Sequence, residues 1–205
     1  MHTRHTITLP NRPPLVLGKR PLLLAMLEEP SPNQVWNLLA QDADMIQLST
    51  GVAPMPVQQE LDRIIPLLDE MIAAGITAPI AIATTNPLVA DQAIQSGASL
   101  IVDLDNLAGA PEMAEIAALH QVPVIARASA LAIARAKAAD IQLILDFGQT
   151  LAEGTGYPIL VGPMLPQAAI SAYRAGAHIL RVDDLTAITT HLSGCFMVIL
   201  SNQEA

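Results

Sequence analysis

Short apolar runs alternate along this chain with longer stretches whose apolar residues recur every three or four positions. The short runs read as buried strands and the longer ones as helices with a single apolar face. Residues 22–27 form the first such strand. Ser31 is placed to cap a helix over 33–41, and 44–49 form a second strand. The clearest helix covers 56–74, where Leu61, Ile64, Ile65, Leu68, Met71 and Ile72 share one face. Pro66 is expected to kink it, and Gly75 to end it.

The same order repeats downstream. Strands are expected over 79–83, 100–103, 122–126, 141–145, 159–161 and 179–182, and helices over 87–95, 111–120, 131–139, 166–175 and 185–192. Three helix ends carry a small-residue signature around Gly75, Gly97 and Gly176, where glycine accepts the left-handed conformation that stops a helix. The rhythm breaks once. Only the twelve residues from Phe147 to Pro158 separate the sixth strand from the seventh, about the least that a crossover helix needs. That helix is expected to be reduced or missing. An apolar run, 196–200, closes the chain.

Eight strand candidates in β-then-α order imply an α/β fold with a parallel sheet covered on both faces. The count of eight favours a shortened (β/α)8 TIM barrel. An open sheet is the alternative, because 205 residues is short against the roughly 250 of such barrels. The whole of 1–205 is expected to be one domain, with 1–15 as an N-terminal tail.

Composition narrows the partners. Hydrophobic residues are 52%, charged residues 14%, and the net charge is −9. With ten Lys and Arg in total, a basic surface for nucleic acid or an anionic membrane is not expected. The single cysteine, Cys195, excludes an intramolecular disulfide and a cysteine metal cluster. A reducing cytoplasm is the expected home. No apolar run approaches the ~20 residues of a spanning helix, and no signal-like segment follows the first residues.

General catalytic motifs are absent. Gly154-Thr155-Gly156 opens like a dinucleotide loop, but Ile159 stands where its third glycine belongs. Barrel enzymes hold their chemistry at the C-terminal ends of the strands. The polar residues there are Glu28, Glu29, Ser49, Thr50, Thr84, Thr85, Asp103, Asp105, Asn106, Arg127, Ser129, Asp146, Arg181, Asp183 and Asp184. Asp146 ends an apolar run, where an unpaired carboxylate is costly. Arg181, between Leu180 and Val182, is its expected partner, either as an internal ion pair or as half of a ligand site. Thr84 and Thr85 read as caps of the helix that follows rather than as catalytic groups. His120 and His178 precede strands, on the face opposite the expected site, and no metal site is expected.

At these residues the chain resembles the dihydropteroate synthase family of folate synthesis. The likeness runs from about Leu17 to Leu192. Arg20-Pro21-Leu22 matches the lead-in to the family's first strand. Glu60-Leu61-Asp62-Arg63-Ile64-Ile65-Pro66 matches its E-L-x-R-V-x-P helix. Ala83-Thr84-Thr85-Asn86-Pro87 aligns with D-T-x-x-P, and residues 97–103 with G-A-D-I-I-N-D. Val122-Pro123-Val124-Ile125 matches V-P-V-V, and Leu143-Ile144-Leu145-Asp146 aligns with I-I-L-D. Residues 157–162 match Y-P-V-L-V-G, and 176–182 match G-A-H-I-V-R-V.

The resemblance implies a pterin-binding barrel, a pterin-like ligand, a folate-pathway transferase activity, and a homodimer through the C-terminal helices. It also implies a set of ring-holding residues that is only partly present. The family's D-T aspartate is Ala83 here, its N-D asparagine is Val102, and its lysine segment reads Met164-Leu165-Pro166. Asp183 replaces a histidine, and Glu28-Glu29-Pro30-Ser31 replaces the loop serving pyrophosphate and magnesium. The loop that serves aminobenzoate is missing around residues 51–54. The candidate ligand-binding residues are therefore Asp146, Arg181, Asp103 and Thr84, with no catalytic residue assigned and no magnesium expected. The expected function is binding or accessory, without synthase turnover. An active condensation of a dihydropterin pyrophosphate with aminobenzoate is the first alternative, and a pterin- or folate-dependent methyltransferase-like protein the second.

Overall fold

The computed structural model describes residues 4–28, 31–49, 55–148, 156–163 and 166–182. The chain begins with two strands, β1 (His5–Leu9) and β2 (Arg12–Leu17), paired as an antiparallel hairpin. Eight parallel strands follow: β3 (Leu22–Glu28), β4 (Met45–Ser49), β5 (Ile80–Thr84), β6 (Leu100–Asp103), β7 (Val124–Arg127), β8 (Leu143–Asp146), β9 (Ile159–Val161) and β10 (Ile179–Val182). They close into a barrel, with β10 pairing back onto β3. The helices are α1 (Pro32–Leu39), α2 (Val57–Ala73), α3 (Pro87–Gln95), α4 (Glu112–His120), α5 (Ala130–Ala138) and α6 (Pro166–Arg174). The closed barrel removes the open-sheet alternative.

The hairpin corrects the expectation of a tail over 1–15. Ile7, Leu9 and Leu17 are buried with the barrel-interior residues Leu22, Met45, Leu100, Ile144 and Ile179, so the hairpin plugs the N-terminal end of the barrel. Apolar residues alternate on both arms, and Asn11 takes the left-handed φ of 55° that the turn requires. The plug is pinned by Thr8 N–H donating to Gln142 Oε1 at 3.0 Å and by Arg12 donating to the carbonyls of Thr77 and Gly97.

The described helices end by one device. The N–H that follows a left-handed residue reaches back to the fifth residue before it: Ala43 to Leu38, Ile76 to Met71, Ala98 to Ala93, Val122 to Ala117, Ile141 to Ala136 and Ala177 to Ala172. This bond closes a Schellman motif. It explains why β7 and β8 begin at Val124 and Leu143, two residues later than the apolar pattern suggests: Val122 and Ile141 belong to helix ends. Ser31 caps α1 as expected, in a reciprocal pair with Gln34, and α2 runs through Pro66 to Ala73. Between β8 and β9, the described residues 147–148 and 156–158 are not helical, and the rest of that connection lies outside the described residues. So do the expected helix over 185–192 and the apolar run over 196–200.

Candidate functional site

The barrel interior is built in layers whose members follow from strand register. Arg181 pairs Leu24, which pairs Met45. Two residues on from Met45, on the same face, is Gln47. Gln47 pairs Ala81, which pairs Leu100, and two residues on is Val102. Val102 leads in the same way through Ile125 and Ile144 to Asp146. Asp146 leads through Leu160 and Ile179 back to Arg181. One layer of four inward side chains, from alternate strands, is therefore Gln47, Val102, Asp146 and Arg181. Such fourfold layers fill closed eight-stranded barrels. Leu24, Ala81, Ile125 and Leu160 lie below it, and Met26, Ala83, Arg127 and Gly162 above it, toward the mouth.

Below this layer the interior is hydrocarbon. Within it, three of four members are polar. Arg181 donates from a terminal guanidinium nitrogen to Asp146 Oδ2 at 2.7 Å, and Asp146 Oδ1 accepts the N–H of Gly148 at 2.8 Å. Their side chains are 10% and 16% exposed, so this ion pair is shielded from solvent. Gly162 is needed beside it. It holds a φ of 142°, and a Cβ there would overlap the carbonyl of Arg181. A cavity of about 470 Å3 opens over the layer, within the range of small-molecule sites. Gln47, Val102, Asp146, Arg181, Ala83 and Arg127 line it.

The other sequence candidates fare differently. Asp103 lies outside this inward layer. Its carboxylate accepts the N–H groups of Asp105 at 3.0 Å and Leu107 at 2.6 Å. It thereby fixes a loop in which Asn106 and Leu107 both hold left-handed φ values of 58° and 57°. Burial pushes its carboxyl above the ordinary range, and the two N–H donors pull it back. Asp103 reaches the cavity wall, but its oxygens serve the loop. Thr84 points outward, is fully buried, and accepts the Asn86 N–H at 3.0 Å. Asn86 in turn caps α3. The structure does not bring Thr84 to the cavity, and its role there is capping. His178 is buried near the lower end, where its Nδ1 accepts the Ile159 N–H and its ring meets His5 edge-on at 4.8 Å. His120 pairs with Asp91 at 2.7 Å. No cluster of three metal-ligating residues occurs among the described residues, and no described helix is long and apolar enough to cross a membrane.

Residues 37–143, just over half of the chain, match the family described as pterin binding enzyme. The chain belongs to the pterin-binding enzyme family. The curated relatives of this pterin-binding barrel include the folic acid synthesis protein fol1 of Schizosaccharomyces pombe, 40% identical over 74 residues. That match covers 36% of the chain and 10% of the relative. The dihydropteroate synthase of Synechocystis sp. is 31% identical over 103 residues, covering 50% of the chain and 34% of that enzyme. The matched segments thus span about a third or less of these relatives. Among solved structures, the dihydropteroate synthase of Burkholderia cenocepacia complexed with 7,8-dihydropteroate superposes with a TM-score of 0.80 at 21% identity. The superposition covers 98% of each chain, a likeness of fold.

Sequence reasoning passed over Gln47. It sits in the middle of the run Met45-Ile46-Gln47-Leu48, away from the strand end where polar residues were sought. The available signal was its parity: a polar residue inside a buried strand, on the face that the pterin-binding barrel turns inward.

Proposed function

We propose that the barrel mouth binds a bicyclic heterocycle of the pterin type, and that the protein acts as a binding or accessory protein without synthase turnover. The observation that carries this reading is the layer itself, in which a shielded carboxylate and guanidinium stand beside one another under a cavity of ring size. Asp146 accepts the ring's amino or ring N–H groups, and Arg181 donates to it or stacks on it. The family membership and the 7,8-dihydropteroate held by the Burkholderia cenocepacia enzyme favour a pterin over other heterocycles.

The other side of the mouth argues against turnover. Ala83 and Val102 offer hydrocarbon where a polar ring needs partners, and each ring group left unpaired costs about 1–3 kcal/mol. Loss of pyrophosphate needs cationic stabilisation in the transition state. The segment 164–166 holds no lysine. The described carboxylates at the mouth are committed, Asp103 to backbone N–H groups and Asp146 to Arg181 and Gly148, so neither is a ready magnesium ligand. Binding is accordingly magnesium-independent. Pairing of two copies through the C-terminal helices would appear as a doubled mass in light scattering.

The second reading, an active synthase, is favoured by the names of the curated relatives. Incubation with dihydropterin pyrophosphate, 4-aminobenzoate and magnesium, followed chromatographically, separates the two. Our reading expects no dihydropteroate above the protein-free rate. Formation at the usual enzymatic ~1 per second or faster would establish the synthase.

A further inference from the structure

Two polar atoms in the mouth have no protein partner among the described residues: Gln47 Oε1 and Arg181 Nε. Both residues are more than nine-tenths buried, at 6% and 8% exposure. Both belong to the same inward layer and line the same cavity. Fold stability does not explain them, since a buried acceptor or donor without a partner destabilises the fold. A leucine or methionine at either position would suit the hydrocarbon directly below. Unpaired buried groups of this kind in a cleft are an expected mark of a ligand contact.

We infer that Gln47 is a ligand-reading residue, and that with Arg181 Nε it selects a cyclic amide edge. A ring N–H donates to Gln47 Oε1, and the neighbouring ring carbonyl accepts from Arg181 Nε. Arg181 stays bonded to Asp146 through its terminal nitrogen, so the ion pair holds the guanidinium while its Nε faces the ring. Val102, in the same layer, supplies no hydrogen bond; Gln47, one strand pair away, provides the amide group instead. A carboxylate ligand would need two donors and fits this pair poorly. A ring bearing an amine in place of the carbonyl would set donor against donor at Arg181.

The inference rests on the mouth being a heterocycle site, and the experiment separates the two. Wild type and Gln47→Met are titrated with pterin, which carries the cyclic amide, and with 2,4-diaminopteridine, which has an amine in place of the carbonyl. Unfolding of both proteins is measured without ligand. We expect wild type to prefer pterin at least about tenfold, one hydrogen-bonded group's worth of discrimination. Gln47→Met should lose at least about tenfold in pterin affinity while melting at or above the wild-type temperature. Equal, measurable pterin binding by both proteins, or equal, measurable binding of both pteridines by wild type, overturns the inference. Should wild type bind neither pteridine, the pterin reading above fails, and ligand-free melting decides for Gln47. An unchanged or higher melting temperature in Gln47→Met upholds a ligand-facing amide. A fall of more than about 3 °C, roughly 1 kcal/mol for a chain of this size, makes Gln47 structural and overturns it.

Discussion

The Asp146–Arg181 pair joins two barrel strands at the cavity floor, and Asp146→Asn tests it with almost no change in volume. The amide oxygen can still accept the Gly148 N–H, but the amide nitrogen then faces the Arg181 guanidinium, donor against donor. A cation whose side chain is 10% exposed is left without its counter-ion. Breaking a fully buried pair costs about 3–5 kcal/mol. Here the pair borders a cavity that admits water, so the low side applies, about 2–3 kcal/mol. At roughly 2–4 °C per kcal/mol for a domain of this length, melting should fall by about 4–12 °C. Removing both charges is a different perturbation. Asp146→Leu with Arg181→Met leaves no orphaned ion, and such replacements are often near neutral. The double variant should unfold within about 1 kcal/mol of wild type in urea. The assay is the double-mutant cycle of wild type, Asp146→Leu, Arg181→Met and the double variant, with Asp146→Asn beside them, all unfolded at low salt. Single variants that each cost under about 0.5 kcal/mol, or a double variant as unstable as the sum of the singles, would refute a buried, mutually neutralising pair.

Three further outcomes follow from named contacts. Gly162→Ala forces a side chain into the Arg181 carbonyl at a φ that disfavours it, so it should cost about 1–3 kcal/mol and weaken pterin binding by displacing Arg181; unchanged unfolding and affinity would contradict this. Burial holds the His5 imidazole below its ordinary value, so the folded state resists its protonation and loses stability as pH falls below about 6.5. His5→Phe should keep the edge-on contact with His178 and flatten that pH dependence, as read by melting from pH 7.5 to 5.5. Burial raises the Asp103 carboxyl, so the folded state takes up that proton first. Its contribution is fully present below the ordinary carboxylate range and fades as pH rises through the raised value. Wild type should therefore gain on Asp103→Asn as pH drops from 6 toward 4, and a carbon-detected NMR titration should place the Asp103 midpoint above those of the exposed carboxylates.

The barrel was legible because burial on both strand faces leaves a strong signature: eight apolar runs in alternation with amphipathic helices. Helix ends at Gly75, Gly97 and Gly176 were legible for the same local reason. The helices before Asp42, Gln121 and Asp140 also end close to where the pattern places them, but the left-handed turns there, with φ of 65°, 55° and 54°, were not legible, since these residue types signal that conformation only weakly, and Val122 and Ile141 were therefore counted with the strands. The hairpin was missed although Ile7, Leu9, Leu15 and Leu17 alternate. Its strands are short, the second carries Pro13 and Pro14, and only tertiary docking into the barrel floor makes them a plug. At the site, Asp146 and Arg181 were found because charge inside an apolar run is costly. Thr84 does not reach the cavity and Asp103 meets its wall from outside the inward layer, because a strand-end residue faces inward or outward by a parity that only register fixes. Gln47 needed that same register.

The central claim, that this mouth holds a pterin-type ring through Asp146 and Arg181, is tested most directly by calorimetric titration of the protein with pterin in magnesium-free buffer, alongside the Asp146→Asn variant held well below its melting temperature. The account predicts saturable binding at one site per chain, weakened at least about tenfold in the variant by loss of a charge-assisted hydrogen bond. Absence of binding to the wild type, or equal affinity in Asp146→Asn, would contradict it.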